Sequence, residues 1–433
     1  MKIAIWHNLP SGGASRALHQ HIKGLAERGH YIEVWTSSLA DSQFLDVDSY
    51  VAKTHIIPLS IATRVRIDYL DDIRSLAYQN STRVKRMLAF CQQCAQQIEA
   101  GQFDVLFANS CHYFNMPFIG RFIKSIPKVL YLGEPNRSLY EAYPEQNWAA
   151  PPCWPKYWYS LSYYKYVWRD TIRTHRARVL VREEVANYQS YTKVLVNSFY
   201  SNESLLRAYG GGGDVCYLGI DMDMFSFMDL PREPFVMGLG SFHPPKQPDL
   251  AIKALAQIDA AERPKLVWVG NIGNQDYLSQ LITLSDQLGV VFEPRQYVPH
   301  QELLQLLNTA SCLLYTSALE PFGLAPLEAN ACGLPVVAVG EGGVRETIND
   351  GYNGLLTSRR PSEIAEAVLR ILTNRNLFEG LSSNGRQMVA DRWGIDQAID
   401  RIEQALLSVA STAKRPGRTT SFAVPKSESS SVP

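Results

Sequence analysis

Apolar residues in this chain come in short runs separated by stretches of helical spacing. An apolar run at 2–6 leads into a loop holding Gly12 and Gly13. A helical pattern follows over 14–28, stopped by Gly29, and then a β-rich run at 31–36. Strand, glycine turn, helix and strand in that order open a βαβ unit. Further strands are expected at 103–108 and 128–132, and a run at 193–197 closes the first half. The glycines Gly210, Gly211, Gly212 and Gly213 form the strongest break. Beyond them the alternation restarts. Strands are expected at 235–239, 266–269, 290–292, 312–315 and 336–339, with helices at 250–258, 276–288, 301–307 and 326–331. Short β-branched strands alternating with helices predict parallel, doubly wound sheets. The fold class is therefore α/β, with two such domains facing across a cleft. Ligands of these sheets bind outside the C-terminal ends of the strands.

The length, 433 residues, exceeds what one hydrophobic core usually serves. The expected division is a first domain at 1–200, a second at 201–395, a helix at 396–411 returning to the first domain, and a tail at 412–433. The tail is rich in Ser, Thr, Pro and Lys and lacks the apolar surface needed to order itself. Hydrophobic residues make up 46% and charged residues 19%, the balance of a soluble enzyme. A formal net charge of zero gives no reason to expect nucleic acid as a partner.

The first apolar run ends at His7-Asn8, too short for a signal-peptide core. No stretch approaches the roughly 20 apolar residues that span a bilayer. A cytoplasmic protein is expected, with peripheral contact to the cytoplasmic membrane face left open. Seven scattered cysteines suit a reducing compartment. Cys91 and Cys94 make a Cys-x-x-Cys pair inside a helical pattern at 83–99. It reads either as a redox or metal pair or as two small helix residues.

The segment 148–182 carries Trp154, Tyr157, Trp158, Tyr159, Tyr163, Tyr164, Tyr166 and Trp168, followed by Arg169, Arg173, Arg176, Arg178 and Arg182. Aromatic rings beside cations fit a membrane interface or a sugar-stacking platform. They fit equally a helical hairpin that buries its rings in the first domain.

The most informative stretch is Glu320-Pro321-Phe322-Gly323-Leu324-Ala325-Pro326-Leu327-Glu328, which follows an expected strand and enters a helix. A helix start presents free backbone N–H groups and a positive dipole end, which together favour an anion. The amides of Phe322, Gly323 and Leu324 are placed to supply them. Glu320 stands before the helix and Glu328 on it. Each carboxylate has two acceptor oxygens, suited to paired hydroxyls of a sugar or a ribose.

Here the chain closely resembles the retaining glycosyltransferases of family 4, which have the GT-B fold of two Rossmann-like domains. The resemblance rests on Glu320 and Glu328 with seven residues between them and on Pro321-Phe322-Gly323-Leu324. It extends through Ala331-Cys332-Gly333-Leu334-Pro335-Val336-Val337-Ala338 and Gly340-Glu341-Gly342-Gly343-Val344-Arg345-Glu346-Thr347 to Asp350-Gly351-Tyr352-Asn353-Gly354-Leu355. It is specific over 291–358 and weaker over most of 1–410. It implies that Glu328 binds the donor ribose and Glu320 the donor sugar. Lys246 would meet the donor diphosphate, and Gly12 and Gly13 would bring backbone N–H groups to that diphosphate from the opposite domain. A glycine there lets the backbone approach closely. The implied catalytic set is Glu320, Lys246, His112 and Asn109. The last two follow the strand at 103–108, where relatives carry a histidine facing the sugar.

Two departures stand out. Ser241 occupies a position where relatives carry arginine, with His243 as a substitute cation. Glu134, in Tyr131-Leu132-Gly133-Glu134-Pro135-Asn136-Arg137, replaces a histidine of some relatives, whereas Arg137 matches them.

The implied activity is that of a hexosyltransferase moving a sugar from a UDP- or GDP-sugar to a glycan or lipid-linked acceptor, in polysaccharide or lipid-linked glycan assembly. The resemblance also implies that the leaving phosphate accepts the acceptor's proton, so no side-chain base is nominated. The nucleotide-sugar is a substrate and no cofactor is expected. Asp46-Val47-Asp48 and Asp221-Met222-Asp223 have the Asp-x-Asp form of some metal sites, but two carboxylates rarely make one, and no metal is expected. A dinucleotide oxidoreductase requires Gly-x-Gly-x-x-Gly, whereas the chain reads Pro10-Ser11-Gly12-Gly13-Ala14-Ser15. A GT-B epimerase or phosphorylase, or an inactive nucleotide-sugar-binding module, remain the alternatives.

Overall fold

A computed structural model of the chain describes residues 1–10, 12–40, 46–61, 82–141, 157–271 and 273–413. Within them the first lobe contains β1 (Lys2–Asn8), α1 (Gly13–Glu27), β2 (Tyr31–Ser37), β3 (Lys53–Ile57), α2 (Thr82–Ala100), β4 (Val105–Cys111) and β5 (Lys128–Tyr131). It continues through α3 (Arg137–Tyr140), α4 (Leu161–Tyr188), β6 (Lys193–Val196), α5 (Phe199–Tyr209) and β7 (Asp214–Val215). The sheet is parallel, in the order β3-β2-β1-β4-β5-β6-β7. The second lobe begins with β8 (Phe235–Leu239), α6 (Pro248–Leu255), β9 (Lys265–Gly270), α7 (Gln275–Leu288), β10 (Phe292–Gln296) and α8 (His300–Thr309). There follow β11 (Cys312–Tyr315), α9 (Leu324–Ala331), β12 (Val336–Val339), α10 (Val344–Thr347), β13 (Gly354–Thr357), α11 (Pro361–Thr373) and α12 (Arg375–Arg392). Its parallel sheet runs β10-β9-β8-β11-β12-β13. The last helix, α13 (Ile395–Ala413), lies on the first lobe.

Both sheets are covered on both faces. In β1, Ile3 and Ile5 pack with Leu18, Ile22 and Leu25 of α1. Ala4 and Trp6 point the other way, onto Met87, Phe90 and Cys91 of α2. The period of two in a strand thus feeds two separate apolar layers, and for that reason the run 2–6 is apolar throughout. The second sheet divides in the same manner, with Met237 and Leu313 on one side and Val236 and Leu314 on the other. Cys91 and Cys94 are fully buried members of one such layer, and burial pushes the Cys94 thiol up to about 12. They are small core residues of α2.

Several boundaries differ from expectation. The first lobe runs past residue 200, because α5 and β7 complete its sheet. The glycine break caps α5: Gly210 takes the left-handed conformation that ends the helix. The strand expected at 103–108 runs to Cys111, so Asn109 lies inside β4 and His112 follows its end. The short edge strand β3 lacked an apolar signal, since four of its five residues are not buried. Most of the tail, and Trp148 and Trp154 of the aromatic segment, lie outside the described residues. Of the remainder, 161–188 forms the single helix α4, with Ser160 capping its start. Burial of its rings is not what this helix does at its start. Trp158, just before it, is 69% exposed, and on it Tyr164 is 56% and Trp168 42% exposed.

The chain crosses between the lobes twice, and the two crossings pair. Ile220 donates its N–H to the Trp393 carbonyl at 2.7 Å, and Ile395 returns one to Ile220 at 3.0 Å. Beyond them, Arg28 bonds Glu403 at 2.7 Å and Asp400 at 2.6 Å, and Gly24 leaves room for Ile399. No described helix is long and apolar enough to cross a membrane.

Candidate active site

In a doubly wound sheet the crevice opens where the strand order reverses. That point lies between β1 and β4 in the first lobe and between β8 and β11 in the second. The loops after these four strands hold Gly12 and Gly13, His112, Ser241 and Lys246, and the 316–323 loop with Glu320. Asn109 stands near the end of β4. By topology the sequence candidates therefore lie at the crevice ends of the two sheets.

Two helix starts face each other there. A Cβ built on Gly13 would lie 3.6 Å from Leu324 Cδ1, so α1 begins against the beginning of α9. Among the described residues, neither helix has a side-chain cap or an acid in its first turn. By contrast, Ser160, Ser198, Asn274 and Asn374 cap α4, α5, α7 and α12. The uncapped starts leave N–H groups and two positive dipole ends at a common gap. The Gly12 conformation explains its glycine: φ is 151°, a region open almost only to glycine, and a Cβ there would touch nothing within 4 Å. In the 316–323 loop the tight fit is to Gly343 instead, whose added Cβ would sit 2.0 Å from the Pro321 carbonyl oxygen.

Lys246 donates to Glu320 at 2.6 Å. Burial works against ionising Glu320, but Lys246, the Ser317 hydroxyl and the charge of Arg137 outweigh it and hold the carboxyl below its ordinary value. The loops carrying the pair are stitched together. Thr316 Oγ1 donates to the Gln247 carbonyl at 2.8 Å, and the Ala318 N–H to that of Pro245 at 2.8 Å. Gln247 and Leu319, which neighbour Lys246 and Glu320, are non-glycine residues with φ of 50° and 47°. Such left-handed residues cost about 1–3 kcal/mol and gather where side chains must be aimed.

Glu328 is 2% exposed and is bound by Arg16 of the opposite lobe. Burial raises its carboxyl above the ordinary value, and Arg16 and His300 offset this only in part. Arg137 also crosses the gap. It pairs with Glu134 at 2.5 Å and donates to the carbonyls of Ala318, at 3.1 Å, and Leu319. The Glu134 departure thus has a local role: it holds the arginine that grips the 316–323 loop. Ser198 Oγ donates to the Pro321 carbonyl at 2.5 Å. Glu346 of α10 accepts from the N–H groups of Phe199 and Tyr200, both at 2.9 Å. A carboxylate of the second lobe thus meets the start of α5 in the first.

Asn109 is buried and its Nδ2 has no hydrogen-bond partner among the described residues. His112 is exposed, its N–H held by the Asn8 carbonyl at 2.8 Å. Phe322 packs between Tyr217 and Trp393, with ring centroids 6.0 and 5.6 Å away, so its ring is structural. The two Asp-x-Asp runs form turns: Asp221 Oδ1 accepts from the Asp223 N–H at 3.0 Å, and Asp46 Oδ1 from that of Asp48 at 2.8 Å.

Sequence reasoning missed Arg16, Ser198 and the role of Glu346. For Arg16 a signal existed, because a cation in the first turn of a helix opposes the dipole.

A two-lobed α/β fold with an anion-favouring cleft is the class defined so far. Residues 226–388 match the family described as Glycosyl transferases group 1, so the second lobe is a domain of that family. The D-inositol 3-phosphate glycosyltransferase 1 of Catenulispora acidiphila is 28% identical over 249 residues, 52% of this chain and 58% of that protein. The chain thus spans little more than half the length of the curated relatives it matches. Among solved structures, Anabaena HepE in complex with UDP-glucose superposes with a TM-score of 0.67 at 20% identity, covering 94% of this chain and all of the other. Sucrose-phosphate synthase from Thermosynechococcus elongatus gives 0.71 at 17% identity over 95% of this chain and 100% of the other. These likenesses establish the GT-B fold.

Proposed function

We propose that the chain is a retaining hexosyltransferase that moves a sugar from a UDP- or GDP-sugar to a glycan or lipid-linked acceptor without a metal. The observation that carries this is the pair of uncapped, acid-free helix starts facing across the cleft, flanked by Glu320, Glu328 and Lys246. That arrangement suits a sugar diphosphate. Its negative charge meets two dipole ends, and its two sets of hydroxyls meet two carboxylates. The HepE complex with UDP-glucose has the same fold. In this assignment Glu328 takes the ribose and Glu320 the sugar. Lys246, the Gly12 and Gly13 amides and the backbone of Phe322, Gly323 and Leu324 take the diphosphate. Asn109, with its unpartnered Nδ2, and His112 meet the sugar from the first lobe.

Transfer proceeds through an oxocarbenium-like state. The diphosphate is a competent leaving group, so the demand on the protein is positioning and stabilisation of the charge that develops on the phosphate. Fixed cations and helix dipoles meet that demand without a metal. The test is incubation of purified protein with radiolabelled UDP- and GDP-sugars, with and without lipid acceptors, in EDTA. Labelled acceptor is the expected product. Free sugar alone would mean hydrolysis, and tight binding without turnover an inactive module.

The acceptor half of the proposal includes docking on an anionic cytoplasmic membrane surface. Trp158, Leu161 and Trp168 are exposed beside the exposed Lys165 and Arg169, the composition that partitions into an interface. Replacing the three apolar residues with serine should reduce cosedimentation with anionic vesicles at least tenfold, since each buried side chain contributes on the order of 1.5–3 kcal/mol. Unchanged cosedimentation would remove this helix from the interface.

A further inference from the structure

Arg16 holds the ribose-binding candidate Glu328, yet it belongs to the opposite lobe. It lies three residues after Gly13, in the first turn of α1, so its stem springs from the helix start that faces α9. Its guanidinium rests over the Phe225 ring at 5.5 Å. Among the described residues only its Nη2 has a hydrogen-bond partner, Glu328 Oε1, and the rest of the five-donor fork is unengaged. A ribose with two neighbouring hydroxyls claims both oxygens of a carboxylate. Glu328 is nearly fully buried, so it cannot swing into solvent to serve both partners. Whatever binds Glu328 by paired hydroxyls displaces Arg16. If the same ligand carries a diphosphate, that anion lies at the two helix starts, on either side of which Arg16 and Glu328 are rooted.

We infer that Arg16 is a donor-binding residue that changes partner: it neutralises Glu328 in the empty cleft and moves to the diphosphate when a nucleoside diphosphate enters. The inference rests on the reading of this cleft as a nucleotide-sugar site. The exchange trades one anion for another, so the part-buried guanidinium keeps a counter-charge in both states. It supplies an arginine to the diphosphate where Ser241 provides none. It also ties lobe contact to occupancy, because in the empty state the cation bridges the lobes through Glu328 and in the filled state through the ligand.

The test is calorimetry on the full chain with inorganic pyrophosphate, uridine, guanosine, UDP and GDP. Arg16→Met should weaken pyrophosphate at least tenfold and leave the nucleosides unchanged or tighter. Arg16→Lys should retain part of the pyrophosphate affinity. Glu328→Gln should tighten pyrophosphate, because Arg16 is then released without breaking an ion pair. Pyrophosphate affinity unchanged in Arg16→Met would overturn the inference and leave Arg16 as a lobe tie. Should that variant fail to fold, Glu328→Gln decides: tighter pyrophosphate supports the exchange and unchanged affinity overturns it. Wild-type protein that binds none of the five probes would end the donor-site reading itself. Wild-type binding with indifferent variants would end only the role of Arg16.

Discussion

Glu328→Ala should abolish measurable nucleotide-sugar binding, weakening it by two orders of magnitude or more. A hydrogen bond to a charged group contributes about 1.5–3 kcal/mol, and a ribose held through two hydroxyls loses two of them. Each 1.4 kcal/mol is tenfold in Kd, so the expected loss is roughly 100-fold to 10,000-fold. The fold should tolerate the change. The partner left behind, Arg16, has a side chain 28% exposed and can rehydrate, while the buried carboxylate that is removed was itself costly to desolvate. Melting temperature is the control, and titration calorimetry is the measurement.

The assignment can be isolated by altering the ligand as well as the protein. A 2′,3′-dideoxy nucleotide offers Glu328 nothing to bind. The wild-type protein should hold it about as weakly as Glu328→Ala holds the ordinary nucleotide, and combining both changes should cost little more than either. That is a double-mutant cycle with one mutation in the ligand. Fully additive losses would mean that Glu328 and the ribose never meet. Acid should weaken binding too. Burial places the Glu328 carboxyl above its ordinary value, so protonation, which removes an acceptor, begins at higher pH than for an exposed glutamate.

Much of this site is written in local sequence, and the exceptions share one cause. Glu320, Gly323 and Glu328 sit on one strand–loop–helix unit, and spacing within such a unit survives folding. Gly12 and Gly13 were readable for the same reason, at the turn between β1 and α1. Arg16, Ser198 and Glu346 act on the other lobe, 312, 123 and 147 residues away in the chain, and no periodicity encodes a partner at that distance. Arg137 shows the intermediate case. Its motif was visible, but its contact with the Leu319 carbonyl required the lobes to be brought together. The two sheets were legible because strands buried on both faces are continuously apolar. The edge strand β3 was not, because its one buried residue gives no alternation. The N-terminal part of α4 misleads in the opposite direction, since its aromatic residues look like core and are largely exposed.

Lys246→Met should lower kcat by roughly 100- to 1,000-fold, the scale seen when one fixed charge or donor is removed from a transition state that builds negative charge. The effect on KM should be smaller, because the helix starts and Glu328 remain to hold the donor. The variant should also reveal what the lysine does for Glu320. In the wild type, burial disfavours the Glu320 carboxylate and Lys246 is the first of the groups that overcome it, leaving the carboxyl below its ordinary value. With the lysine gone, burial remains and its main opponent does not, so the carboxyl rises. Activity that requires ionised Glu320 will then fall off at higher pH on the acid side than in the wild type. The stability linkage has the same sign. A carboxyl whose folded value is depressed stabilises the fold above its unfolded value, and that contribution is lost as pH falls through the folded one. Lys246→Met should erase it. The kcat profile from acid to neutral pH is the measurement. A residual rate whose acid limb coincides with the wild-type limb would show that the 2.6 Å contact between Lys246 and Glu320 does not govern the charge of Glu320.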